Sequence, residues 1–141
     1  MPGAKGGGAS PHDLLNPEGW VPAKGYANGI AATGRLVFTG GLIGWNAAQE
    51  FESDDFVEQS RQALANVVTV LAEAGARPEH LVRLTWYITD KREYLASTRE
   101  LGQAYRAVIG RHFPAMAMVQ VAALIEDRAK VEIEATAVVP E

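Results

Sequence analysis

The 141-residue chain has no cysteine, which excludes a disulfide framework, thiol catalysis and thiolate metal sites. It has no apolar run near the ~20 residues that a membrane-spanning helix needs, so no membrane association is expected. Basic residues are outnumbered, 13 against 17 acidic, and the net charge of −4 opposes the phosphate attraction on which nucleic-acid binding depends. No run of Lys or Arg offsets it, and no nucleic-acid partner is expected. Its histidines, His12, His80 and His112, show no metal-ligand spacing. No glycine-rich loop joins a strand directly to a helix with phosphate-binding spacing, because extended chain follows Gly40-Gly41. Neither a metal nor a cofactor is therefore expected. Ser60 and Ser97 have no accompanying histidine pattern, which removes the case for a nucleophilic triad.

What is present is the composition of an ordinary globular protein, 48% apolar and 21% charged, in a chain long enough to bury a core without staples. Residues 1–13 are rich in Gly, Ala and Pro and have no apolar h-region. They read as a flexible tail and not as a signal peptide, so a cytoplasmic location is expected, with residues 14–141 forming a single domain.

The patterning within residues 14–141 predicts alternating strands and helices. Tyr26 to Ala32 and Leu36 to Leu42 form a hairpin candidate across Thr33-Gly34-Arg35. A helix begins near Ser53, carries the stripe Phe56, Ala63, Leu64, Val67, Val70, Leu71 and Ala74, and ends at Gly75 and Pro78. Val82, Leu84, Trp86 and Ile88 alternate as a strand with one apolar face. A second helix opens with Asp90 and Glu93 at capping-box spacing, runs along Leu95, Thr98, Leu101, Tyr105, Val108 and Ile109, and stops at Gly110. Two further strands follow. The order ββαβαββ places both helices on one face of a mixed sheet, an α+β two-layer fold. The other face, assigned Tyr87, Met116, Met118 and Val138, is too apolar to meet water alone, which predicts self-association.

The last two strands are the most distinctive part of the chain. His112-Phe113-Pro114-Ala115-Met116-Ala117-Met118-Val119-Gln120-Val121 is joined by a short polar connection to Lys130-Val131-Glu132-Ile133-Glu134-Ala135-Thr136-Ala137-Val138. In the second segment Val131, Ile133, Ala135 and Ala137 share one face, while Glu132 and Glu134 share the other. This pair resembles the end of RidA/YjgF proteins, also labelled endoribonuclease L-PSP-like, whose pattern is Phe-Pro-Ala-Arg, a strand, and a Lys-x-Glu-x-Glu-Ala strand. Tyr26, Leu36-Val37-Phe38-Thr39-Gly40-Gly41, the helix around Gln62-Ala63-Leu64-Ala65-Asn66-Val67, and Leu81 to Asp90 supply further landmarks in the family's order.

The resemblance implies a chorismate-mutase-like fold, assembly as a homotrimer, and ligand clefts between subunits in which water releases ammonia from a small imine or enamine. It makes Glu132 the catalytic acid–base group. It places Tyr26 and Gly41 at the substrate site, together with Met116 and Gln120, which stand where the family has its carboxylate-binding arginine and often a glutamate. Met118 on the same strand and Trp45, after Gly44 in a loop, complete the expected cleft wall. A thioether cannot replace the charged bidentate bonds of a guanidinium, so the substrate should differ from a standard 2-imino acid. Arg83, Arg128 or Lys130 would be the cations able to compensate. A non-catalytic metabolite-binding or sensing module on the same trimeric scaffold is the alternative.

Overall fold

The computed structural model describes residues 10–141. The chain forms β1 (Asp13–Leu15), β2 (Gly29–Ala31), β3 (Arg35–Phe38), β4 (Leu42–Ile43), α1 (Phe56–Ala72), β5 (Leu81–Ile88), α2 (Lys91–Leu95), α3 (Thr98–Val108), β6 (Ala115–Gln120) and β7 (Val131–Val139). The main sheet has the order β3-β7-β5-β6, with β4 also pairing β7. Only β5 and β6 run parallel, and α2 and α3 form the crossover that parallel neighbours require. The fold is α+β, with α1 packed against β7, β4 and α3 on one face of this mixed sheet.

The two helix-forming patterns seed the core. In α1 the buried stripe is Phe56, Val57, Gln59, Ser60, Ala63, Leu64, Val67 and Leu71. Its N-cap is Asp55, whose side chain accepts from the Glu58 backbone N–H at 3.0 Å, while Ser53 caps Asp55 one step earlier. Val70, expected in the stripe, is 40% exposed near the C-terminal end of α1. Leu64, Leu84 and Ile133 are fully enclosed between the layers. Each such side chain stabilises the fold by about 1.5–3 kcal/mol.

Several local expectations are corrected. β2 does not pair with β3; it pairs antiparallel with β1 in a separate two-stranded ribbon, while β3 pairs with β7. The second helix is broken at Ala96-Ser97, where the Ser97 hydroxyl donates to the Glu93 carbonyl at 2.6 Å. Asp90 caps α2, but Glu93 does not close a capping box, because its carboxylate pairs with Lys130 at 2.8 Å. Leu95, expected in the stripe, is 63% exposed at the break. The expected tail falls mostly outside the described residues, yet within it His12 is buried against the His80 carbonyl and Asp13 opens β1.

The largest correction concerns the sheet's faces. A register irregularity between Leu81 and Arg83 lets both Leu81 and Leu84 turn inward, and Trp86 and Ile88 continue that face. In the parallel pair, Leu84 lies beside Met116 and Trp86 beside Met118. Met116 and Met118 therefore face the helix side, not the open face. The exposed apolar residues of the open face are instead Leu36, Phe38 and Val119, at 58%, 66% and 46%, and Val138 is already buried.

Candidate active site

Two separate places emerge from the expected site residues. The first is a cavity of about 1000 Å³ on the helix side, between the β1–β2 region, α3 and the edge strand β6. Met116 and Met118 line it because β6 carries them on the Trp86 side, and Tyr26 lines it because the preceding chain is tied to β6. That tie is a hydrogen bond from Ala27 N to Pro114 O at 3.0 Å. Tyr105 and Phe113 stack with centroids 5.3 Å apart, and the Tyr105 hydroxyl donates to the His112 carbonyl. Burial pushes the Tyr105 phenol well above its ordinary value, so this group is a fixed part of the wall and does not titrate.

The second place lies on the open face. Glu132 is half-buried on β7, opposite Ile43 of β4 and Tyr87 of β5. Its carboxylate lies over Gly41: a Cβ at that position would fall 1.9 Å from Glu132 Oε2. Only glycine leaves the room for it. The two carboxylates of β7 differ sharply. Glu134 accepts from the Tyr87 hydroxyl at 2.7 Å, a bond that raises the Tyr87 pKa, whereas no donor among the described residues reaches Glu132. Of the two, Glu132 is thus the carboxylate without a donor among the described residues.

Trp45 and Gln120 join neither place. Trp45 packs on Phe51 with centroids 5.7 Å apart, and Asn66 donates to its carbonyl at 2.8 Å, fastening the loop to α1. This close approach depends on Gly44, where a Cβ would meet the Gln59 backbone at 2.5 Å. Gln120 accepts from Lys91 N at 2.7 Å and so holds the start of α2.

Two of the three cations expected to compensate for Met116 are committed elsewhere. Arg128 pairs with Asp54 at 2.9 Å and lies over the Phe51 ring at 5.2 Å, and Lys130 is held by Glu93. Arg83 shares the open face with Thr85 and Tyr87. The cations that do line the cavity are Lys24, Arg106 and Arg111, which are scattered in sequence and were missed for that reason. One signal was legible: Thr98, Leu101, Gly102, Tyr105 and Arg106 recur at one-face helical spacing, and all of them line the cavity. Among the described residues, no group of three or more His, Asp or Glu is placed to hold a metal ion.

A sequence model of the family described as Endoribonuclease L-PSP matches residues 18–139. The chain belongs to the RidA/YjgF family. Within it, the chain is 35% identical to a RutC family protein of Haemophilus influenzae over 74% of its length and 80% of that relative. It is 32% identical to the 2-iminobutanoate/2-iminopropanoate deaminase of Salmonella typhimurium, covering 80% of this chain and 86% of that protein. A crystal structure of the Rid family protein YyfB from Yersinia pestis superposes with a TM-score of 0.80 at 31% identity, covering 91% and 98% of the two chains. No helix among the described residues is long and apolar enough to cross a membrane.

Proposed function

We propose that this RidA/YjgF chain is a cytoplasmic homotrimer that hydrolyses a small reactive imine or enamine, without a cofactor, in clefts between subunits. The observation that carries the reading is the Glu132 carboxylate, laid over Gly41 and without a donor among the described residues while its neighbour Glu134 is occupied. Glu132 lies on the open face and Met116 on the opposite face of the same sheet, so a pocket containing both requires two chains. The exposed Leu36, Phe38 and Val119 give the open face a reason to be covered by another subunit.

In the reaction, Glu132 takes a proton from water as the oxygen bonds to the C=N carbon and the π pair moves to nitrogen, which receives that proton. Glu132 then carries the adduct's hydroxyl proton to nitrogen as the C=O bond forms and the C–N bond breaks. One imine and one water yield one carbonyl compound and one ammonia, with no redox change. A positioned carboxylate contributes typically about 10²–10⁴-fold to such a step. The Salmonella relative's name motivates the imine chemistry. Met116 argues against its short substrates, because each charge-assisted hydrogen bond lost is worth about 1.5–3 kcal/mol.

The test generates 2-aminoacrylate or 2-iminobutanoate in situ and follows ammonia release. Slow release from these acids, with Glu132-dependent turnover of another imine, is the expected result. Rapid Glu132-dependent release from them would refute the altered substrate range, and a stable monomer in sedimentation would refute the shared cleft. A binding or sensing module is favoured by one observation, the use of Gln120 as a structural cap in place of a second site group. Ligand binding unaffected by Glu132→Gln, with no turnover of any imine, would establish that reading. The family's nuclease label is checked by incubating RNA with the protein at low salt, where no cleavage is expected from a chain of net charge −4.

A further inference from the structure

We infer that the cavity beside β6 binds an organic anion with a flat apolar body, an arylalkanoate in chemical class, much larger than a three- or four-carbon acid. This deepens the preceding reading by naming the ligand class of the Met116 side of its cleft, and it relies on that reading only for turnover.

Size is the first argument. The cavity holds about 1000 Å³, at the upper end of pockets that enclose drug-sized molecules and far beyond what a short imino acid fills. Its floor is apolar, built by Met116, Met118, Phe113, Leu101 and the ring of Trp86. Two adjacent methionines on one strand face adapt to the shape of a ring more readily than branched side chains do.

Charge is the second. Lys24, Arg106 and Arg111 line the same cavity, and none of them is in an ion pair among the described residues. The single acid in the described lining, Glu79, is neutralised by Arg77 at 2.8 Å. A chain that is acidic overall therefore carries a locally cationic wall. Two of the three cations come from α3 and the loop after it, across the cavity from Met116 and Met118. An anion gripped there and an apolar body lying on the methionine floor call for a long ligand.

Polar satisfaction is the third. Buried polar atoms are nearly always paired, yet Trp86 Nε1 and His112 Nδ1 have no partner among the described residues, and both residues belong to the cavity wall. Trp86 is 3% exposed, and an indole N–H can only donate. It calls for an acceptor that the described residues do not supply.

The test uses the full chain with 3-phenylpropanoate, its uncharged amide, and butanoate, by calorimetry and by following the Trp86 indole N–H resonance. The acid should bind about tenfold or more tightly than either the amide or butanoate. It should also move the indole resonance, and that signal is assigned by its loss in Trp86→Phe. Arg106→Gln with Arg111→Gln should abolish the preference for acid over amide while the circular dichroism spectrum stays unchanged. Equal binding of acid and amide, or of butanoate and 3-phenylpropanoate, overturns the inference, as does a double variant that keeps the preference. If no imine releases ammonia while 3-phenylpropanoate still binds with this preference, the enzymatic reading falls and this one stands. Ammonia release from short imines without 3-phenylpropanoate binding has the opposite meaning.

Discussion

The two faces of the sheet could hardly differ more in what they offer a ligand. The helix side presents a deep cavity floored by Met116 and Met118 and ringed by Lys24, Arg106 and Arg111. The open face presents the free carboxylate of Glu132 above a glycine, beside Glu134 and Tyr87. On the proposed reading, grip and proton transfer fall on opposite sides of β5, and one strand supplies the boundary: its even-numbered Leu84, Trp86 and Ile88 are buried, and Thr85 and Tyr87 look outward. The contrast shows that, among the described residues, the two faces of one chain differ in chemistry: a carboxylate without a donor on one, cations without a free carboxylate on the other.

The division can be broken at its ends. Glu132→Gln should lower turnover by about 10²–10⁴-fold, measured by ammonia release, and leave binding of 3-phenylpropanoate unchanged. Equal losses in both assays would mean that the half-sites are not separable. Leu84→Ala, on the cavity side of β5, should destabilise the fold by about 2–5 kcal/mol in urea denaturation. Tyr87→Phe, three residues on and facing out, should cost less, about 0.5–1.5 kcal/mol, since it removes one part-buried hydrogen bond and no apolar packing. Gly41→Ala should reduce turnover by about tenfold with an unchanged unfolding midpoint, because the new Cβ displaces only the end of a flexible side chain.

The smallest effect concerns pH. His80 is held below the ordinary imidazole value by burial; Glu79 opposes this, and Arg77 and His12 add to it. Its Nδ1 accepts from Arg77 N at 3.0 Å, a bond that only the neutral ring can make. A depressed folded-state pKa means that the unfolded chain binds the proton first. The contribution is complete above the unfolded value of about 6.5 and is lost as pH falls through the folded one. Urea midpoints between pH 7.5 and 5.5 should therefore decline on the acid side, and less steeply in His80→Gln. An identical slope in the variant would show that another group governs this range.

Much of the fold was legible because period and punctuation are local. The 3.6-residue stripe of α1, its stop at Gly75, and the strict alternation of β7 all survive in the structure. The failures share a cause. Thr33-Gly34-Arg35 looks like a hairpin turn, but β1 and β7, distant in sequence, take the partners that the turn seemed to assign. The Asp90–Glu93 spacing looks like a capping box, but Lys130, 37 residues away, captures the second carboxylate. Among the site residues, the motif named Glu132, Gly41, Tyr26, Met116 and Met118, but not the separation of the last three into a helix-side cavity. Nor did it give the capping role of Gln120 or the Phe51 contact of Trp45.

The sequence by itself determined which residues form helices and strands, that one face of β7 is apolar and the other acidic, and that no guanidinium stands at position 116. Those properties follow from side-chain chemistry and from periods of two and 3.6, which operate within a few residues. Only the tertiary structure decided that the methionines lie with Trp86 on the helix side, away from Glu132, and that Lys24, Arg106 and Arg111 meet around one cavity. Strand register and the convergence of distant segments are set by burial of the whole core, a property that no local window contains.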